Sequence, residues 1–187
     1  MFTTNAKEHT DLDHTITREI EALQRCHGLK QVLQLYDVVL TKDKKILVTD
    51  YMQGGDMINF SEVNELTVFD EEQTKKFAKS LAMVVCELHE RGIIHRDIKL
   101  ENIFMTCEEL DAIPVIGDFG QSVINNGAGP QDYDRVGSKG YTAPEVLMGK
   151  PYDFKCDVFS MGCLLYALIT ANLPFLAPLK EDYFFKT

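Results

Sequence analysis

Residues 95–102 read His95-Arg96-Asp97-Ile98-Lys99-Leu100-Glu101-Asn102, and this stretch decides the fold. It follows the apolar pair Ile93-Ile94, which predicts a short buried strand that leaves the polar groups on the loop at its end. Asp97 supplies a carboxylate to that loop, Lys99 an ammonium group and Asn102 an amide oxygen. Amide and carboxylate oxygens are the ligands that Mg²⁺ prefers, so this loop is a candidate functional site.

Two further motifs follow in the chain. Asp118-Phe119-Gly120 places another carboxylate in a turn after the apolar run 113–116, and Ala143-Pro144-Glu145 has the proline of a helix start. Each motif alone is common, because the first resembles an ordinary turn and the second an ordinary first helical turn. The three motifs in this order and at these intervals are far more specific, since each supplies the context that the others need.

Together the motifs resemble the catalytic signatures of the eukaryotic protein kinase family. Lys99 after Asp97, and the segment Gly137-Ser138-Lys139-Gly140-Tyr141, are similar to its serine/threonine branch. The resemblance implies an α+β, two-lobed kinase-like domain over 1–187, with a truncated small lobe at 1–52 and a partial, mostly helical large lobe at 53–187. It further implies ATP and Mg²⁺ as cofactors, and transfer of the γ-phosphate to a serine or threonine of a protein substrate.

The resemblance also implies roles for individual residues. Asp97 would orient the substrate hydroxyl and accept its proton, Lys99 would contact the transferring phosphate, and Asn102 and Asp118 would hold Mg²⁺. Glu19 resembles the glutamate of the helix that faces the nucleotide. The other residues implied in nucleotide binding are Thr49 at the deep end of the adenine pocket, Asp50 and Met52 in the segment that reads adenine, Asp56 near the ribose, and Phe104 against the adenine ring.

Two charged positions bear on regulation and specificity. Arg96 resembles the arginine of kinases whose activation segment, here residues 118–145, is ordered by a negative charge. Asp134 lies four residues before Ser138, and we hypothesise that its carboxylate pairs with Arg96; the alternative is a solvated loop acid. Glu101 resembles the acid that selects arginine in a substrate, so basic residues near the acceptor are expected.

The sequence departs from the family pattern near both ends. The first glycine is Gly28, so no glycine-rich loop precedes Glu19, and Lys7 is a poor substitute for the phosphate-contacting lysine. Beyond the apolar run 158–179 the family's further large-lobe helices are missing, so we expect an exposed helix surface that a partner protein covers. Two alternatives to an active kinase therefore stay open: a weak or inactive pseudokinase-like scaffold, and an incomplete gene product.

Composition restricts the remaining classes. A net charge of −10 disfavours nucleic acid and anionic membrane surfaces as partners. The uncharged run 158–179 is interrupted by polar residues and two prolines, which favours a buried core helix over a membrane span. The five cysteines are scattered and the N-terminus lacks the apolar core of a secretory signal. We therefore expect reduced thiols and a cytoplasmic localisation, with the nucleus also open.

Periodicity and turn residues predict the main secondary-structure elements. Asp70 and Gln73 form a capping box that opens a long helix ending at Gly92, with apolar residues on one face. The remaining predictions are a helix that ends near 26–28, antiparallel strands at 32–40 and 45–52, a short strand at 113–116, and a last helix at 154–171.

Overall fold

The computed structural model describes residues 6–41, 44–127 and 129–175, with side chains from residue 14 onward. Its helices are α1 (Ala6–Arg25), α2 (Met57–Val63), α3 (Glu71–Glu90), α4 (Pro144–Leu147) and α5 (Lys155–Thr170). Its strands are β1 (Leu35–Leu40), β2 (Lys45–Thr49), β3 (Ile93–Ile94), β4 (Ile103–Met105), β5 (Pro114–Ile116) and β6 (Val123–Ile124), and a 3₁₀ turn covers Leu100–Asn102. The α+β fold predicted from the sequence is confirmed.

Helix α3 forms as its sequence predicts. The Asp70 carboxylate accepts a hydrogen bond from the Gln73 amide at 2.8 Å, and the Gln73 side chain accepts one from the Asp70 amide at 3.1 Å. These two bonds satisfy N–H groups that would otherwise lack a partner at a helix start. The apolar face of the helix is buried and packs against α5 and β5. The buried apolar residues of this face are Phe77, Leu81, Val84, Val85 and Leu88.

Removal of this cap should have a modest, measurable cost. We expect Asp70→Ala to lower the free energy of unfolding by about 1 kcal/mol, because the Gln73 amide loses its acceptor. Urea denaturation followed by circular dichroism measures the change, with Glu87→Ala on an exposed position of the same helix as the control. A loss no greater than that of the control would contradict the capping role.

The strands form three separate two-stranded antiparallel sheets, β1–β2, β3–β6 and β4–β5. The first is shorter than predicted and contains a register shift between Leu35 and Asp37. The residues just before β1 bond instead to the last residue of β5: Val32 forms a bridge with Ile116, and the Leu33 amide donates to the Ile116 carbonyl at 2.9 Å. This bond joins the hairpin to the part of the chain that carries Asp118.

Among the described residues, the β1–β2 hairpin packs against the core on one face. Val39, Ile46 and Val48 lie on the other face and are 41%, 46% and 42% exposed. Two-stranded hairpins are marginally stable in water without packing on one side. The hairpin therefore depends on its inner face, where Leu35 and Leu47 pack against the main core.

Helix α5 is largely buried but keeps an apolar surface in solvent. Cys163, Leu164 and Leu168 lie in the core, whereas Val158 and Ile169 are more than half exposed. The expected exposed helix surface is thus present in the described residues. No helix in the described part of the chain is both long and apolar enough to cross a membrane. Cys26, Cys156 and Cys163 are buried, and all five cysteines are free in the structure.

Candidate active site

A buried carboxylate on α5 holds the loop that follows β3. Asp157 is fully buried, and its two oxygens accept the backbone amides of His95 at 2.9 Å and Arg96 at 2.8 Å. The His89 ring lies 2.9 Å from the same carboxylate. These bonds hold Arg96 in the left-handed region, with φ of 70°, a conformation that non-glycine residues adopt at a cost and that is common at functional sites. The backbone turn that presents Asp97 thus depends on Asp157.

His95 connects this loop to the loop that carries Asp118. Its Nε2 lies 3.1 Å from the carbonyl of Gly117, which can only accept, so the ring carries its proton there. Its Nδ1 accepts the amide of Asp97 at 3.3 Å. The ring also packs against Phe119, with centroids 4.8 Å apart. Because both ring nitrogens are used in this way, His95 has a structural role.

Three polar side chains converge at Asp97, which is 7% exposed. Its carboxylate lies 3.1 Å from the Lys99 ammonium and accepts the Ser138 hydroxyl at 2.7 Å. Lys99 also donates to the Ser138 oxygen at 2.9 Å. The Asn102 amide nitrogen donates to the Asp97 carboxylate at 3.2 Å and to its backbone carbonyl at 2.9 Å. The sequence-predicted Asp97, Lys99 and Asn102 therefore form one cluster.

The two proposed metal ligands lie on adjoining backbone. The Asn102 carbonyl accepts the Gly117 amide at 3.0 Å, beside the paired strands β4 and β5, and Asp118 follows directly. Since the Asn102 amide nitrogen makes both bonds to Asp97, the amide oxygen is the atom left for an ion. The Asp118 carboxylate is exposed and accepts one long bond, from Gly120 at 3.3 Å.

This donor set fits Mg²⁺. Mg²⁺ is commonly held by one or two protein oxygens, with water and phosphate oxygens completing its octahedron. Within the described residues no group of three or more His, Cys, Asp or Glu side chains could hold a metal ion without such help. Asn102 and Asp118 are therefore suited to a cation that arrives with a phosphate-bearing ligand rather than to a closed structural site.

Glu19 lies on α1 beside the same loop. Burial raises the pKa of its carboxyl, the negative charge of Asp118 raises it further, and a hydrogen bond from the Phe119 backbone opposes both effects. The helix also packs closely there, since a side chain at Gly120 would come within 3.0 Å of Thr15. The structure thus places the predicted Glu19 next to Asp118.

Asp56 and Phe104 also lie next to each other. They form a backbone bridge, and the Asp56 carboxylate accepts the Asn59 amide at 2.8 Å as the N-cap of α2. The Phe104 ring lies over Gly117, where a Cβ would be only 2.8 Å from the ring. Gly117 therefore lets the ring approach the backbone beside Asp118.

The segment that follows β2 bonds to Gln34, the residue directly before β1. The Asp50 carboxylate accepts the Gln34 amide at 2.9 Å and the Tyr36 hydroxyl, while its own amide donates to the Gln34 carbonyl at 3.2 Å. Thr49 donates a long bond to the Asp50 carbonyl, and the Met52 carbonyl accepts Gly55 at 3.1 Å. Thr49, Asp50 and Met52 thus lie at the junction of the hairpin and the larger helical part. Their roles toward adenine stay predictions.

The hypothesis that Asp134 pairs with Arg96 is wrong in this structure. The Asp134 carboxylate lies 3.5 Å from the Arg18 guanidinium on α1, with both side chains largely in solvent. Arg96 instead donates to the Gln121 carbonyl and, at 2.9 Å, to the Tyr152 hydroxyl. Arg96 is buried and Asp134 exposed, so a pair between them would require desolvation of the carboxylate.

The sequence reasoning missed three residues that shape the site. It used Ser138 only as a branch marker and a reference position for Asp134, it included Asp157 only within the last helix at 154–171, and it did not consider Tyr152. An acid directly before the uncharged run 158–179 was a signal for Asp157, because buried acids require partners. No local pattern marked Ser138 or Tyr152, since their partners lie at distant sequence positions.

Comparison with known proteins agrees with this geometry. The family model described as the protein kinase domain matches residues 2–186. The chain is 35% identical over 181 residues to the serine/threonine-protein kinase cds1 of Schizosaccharomyces pombe, covering 94% of this chain and 37% of that protein. It is 37% identical over 162 residues to a probable myosin light chain kinase of Dictyostelium discoideum, covering 86% and 50%.

A third relative is the human hormonally up-regulated neu tumor-associated kinase, 33% identical over 175 residues, covering 91% of this chain and 23% of that protein. The chain therefore spans at most about half the length of these relatives. The family model covers nearly the whole chain, and Lys99 and Asn102 contact Asp97 in the structure. The chain thus belongs to the eukaryotic protein kinase family, on its serine/threonine branch.

Proposed function

We propose that this chain transfers the γ-phosphate of ATP to a serine or threonine hydroxyl of a protein. The observation that carries this proposal is an alcohol held between Asp97 and Lys99: the Ser138 hydroxyl donates to the carboxylate at 2.7 Å and accepts from the ammonium at 2.9 Å. These two groups can therefore hold a hydroxyl oriented toward a base and next to a cation. A serine or threonine of a substrate has the same functional group.

Each side chain has a distinct part in the proposed reaction. Asp97 orients the acceptor hydroxyl and takes its proton, while Lys99 balances negative charge on the transferring group. Asn102 and Asp118 would hold Mg²⁺, which when bound neutralises charge on the ATP phosphates. His95 and Asp157 keep the two loops in register through the bonds described above. Catalysis then depends on position and charge, as phosphoryl transfer requires.

The proposed protein substrate carries basic residues near its acceptor. Glu101 is exposed and lies near Tyr141. The pKa of the Tyr141 phenol is raised to about 12, mainly by burial and then by the negative charge of Glu101. An exposed carboxylate next to Asn102 is placed to attract a cationic side chain of a peptide. The net charge of −10 favours the approach of basic peptides.

A second candidate function is a non-catalytic scaffold. The observation that favours it is the apolar surface of α5, where Val158, Tyr166 and Ile169 are 52%, 46% and 51% exposed. Exposed apolar surface of this kind favours contact with a partner protein. Intact Asp97, Asn102 and Asp118 favour the catalytic function instead, because a scaffold has no need of them.

Ligand-induced stabilisation distinguishes the two functions. We expect Mg-ATP at a hundred times its dissociation constant to stabilise the folded chain by ~2.7 kcal/mol, because it binds the native state alone. A thermal-shift assay measures this with Mg-ATP, ATP with chelator, and Mg²⁺ alone. The Asp118→Asn variant should lose the Mg²⁺-dependent part of the thermal shift. The Asp111→Asn variant should keep it, because Asp111 is an exposed acid between β4 and β5. No shift in the parent chain would support the scaffold.

A further inference from the structure

The Arg96 guanidinium is buried without a carboxylate partner in the described part of the chain. The residue is 5% exposed, and its Nη2 has no hydrogen-bond partner. Its Nε donates to the Gln121 carbonyl, and its Nη1 donates to the Tyr152 hydroxyl at 2.9 Å. Neutral oxygens therefore accept the hydrogen bonds of this buried cation, and one of them belongs to a side chain.

The Tyr152 hydroxyl joins Arg96 to Asp134 of the activation segment. Because its hydroxyl accepts from Arg96, its own proton is free to donate, and it does so to the Asp134 carbonyl at 2.7 Å. Tyr152 also exchanges two backbone bonds with Gln131, each of 3.0 Å. It is 2% exposed, and burial raises the pKa of its phenol, which keeps the proton in place. One buried residue thus holds the segment at two points.

The other described bond of Asp134, an ion pair with α1, is weak. The Arg18–Asp134 ion pair spans 3.5 Å between side chains that are 43% and 69% exposed. Pairs of this kind contribute little and are screened by salt. A buried hydrogen bond from a charged donor is stronger, and a buried partner left unpaired is costly. Arg96 bonds directly to the start of the segment at Gln121, and the Tyr152 hydroxyl links it to the later part at Asp134, more strongly than the Arg18 ion pair holds that residue.

We propose that the Tyr152 hydroxyl is a positioning group that holds the activation segment against the loop of Arg96 and Asp97 without a phosphate. The link runs from Arg96 through Tyr152 to Asp134, four residues before Ser138. Its loss should loosen residues 131–136 and disturb the site where Ser138 meets Asp97. The effect on turnover rests on the proposed kinase function, whereas the effect on the segment does not.

The test removes one oxygen atom, that of the Tyr152 hydroxyl. Tyr152→Phe keeps the ring and removes the link. Tyr133→Phe is the matched control, because it also keeps the ring that packs against Tyr152 and Arg96 and removes a hydroxyl that bonds to the Gln131 side chain. Limited trypsin cleavage after the exposed Arg135, followed by mass spectrometry, reports how often the segment opens. We expect cleavage about tenfold faster in Tyr152→Phe and unchanged in Tyr133→Phe. Equal cleavage in Tyr152→Phe and the parent chain would overturn the proposal.

Kinetics provides a second measurement. With a basic serine peptide, Tyr152→Phe should lower kcat/KM for the peptide by about tenfold, because the peptide KM rises and kcat falls. The KM for ATP should stay unchanged. Equal loss in the ATP and peptide constants would indicate general damage and would overturn the proposal. Should Tyr152→Phe not fold, Arg96→Lys breaks the link from its other end and must give the same faster cleavage. If neither the parent chain nor any variant transferred phosphate, the proposed kinase function would be refuted. The cleavage result would still decide the role of Tyr152.

Discussion

Replacement of Asp97 with asparagine is expected to reduce phosphoryl transfer by about 10²–10⁴-fold. The amide has the shape of the carboxylate but cannot take a proton from the acceptor hydroxyl. It also loses the charge that holds Lys99 at 3.1 Å, and its NH₂ group competes with the bond from the Ser138 hydroxyl. Both the base and the arrangement around it are therefore lost.

Radiolabelled ATP and a basic serine peptide measure this rate. The Mg-ATP thermal shift of Asp97→Asn should remain close to that of the parent chain, because Asn102 and Asp118 are unchanged. Asp111→Asn provides the matched control, with the same chemical change at an exposed position. If Asp97→Asn and Asp111→Asn transferred phosphate at the same rate, Asp97 would not be the base.

The largest effect on stability is expected at Asp157. We expect Asp157→Ala to lower the free energy of unfolding by about 3–5 kcal/mol, since it removes one partner of a buried charged network. The backbone amides of His95 and Arg96 would lose their acceptor in a region where water does not reach, and the His89 ring would lose its partner. The left-handed conformation of Arg96 would also lose the bonds that hold it.

Urea denaturation of the parent and the variant measures this difference. Asp132→Ala, at an exposed position of the activation segment, is the control and should change stability by less than about 0.5 kcal/mol. If Asp157→Ala cost no more than this control, the loop after β3 would be held by other contacts. A variant too unstable to purify would agree with the expected direction, and Asp157→Asn then permits measurement.

Local signals in the sequence predicted the helices well. The α3 capping box and its apolar face need only neighbouring residues, so they can be derived from spacing alone. The strands next to Thr49 were predicted too long, because the residues before β1 bond to Ile116, more than eighty positions away. The short helix α2 was not predicted, although Asp56 caps it, because a helix of seven residues is too short to show a clear periodic pattern.

In the site, too, local sequence patterns predicted some residues, and contacts between distant positions decided the others. Asp97, Lys99 and Asn102 are close in sequence, so the motif alone predicts that they share one site. The placement of Asp134 depended on competition between Arg18 and Arg96, two cations from different parts of the chain, and burial decided it. Asp157 and Tyr152 act on a loop some sixty positions earlier, which no local pattern reveals.

The hairpin with one bare face affects how tightly a nucleotide could bind. Its strands adjoin Asp50 and Met52, yet Val39, Ile46 and Val48 face water rather than a second layer of protein. Elements with few packed contacts open at low free energy. A ligand at Met52 would therefore use part of its binding free energy to immobilise the strands, and its affinity would fall below what its contacts alone provide. A substitution that made this hairpin more rigid in advance would tighten binding without adding a contact to the ligand.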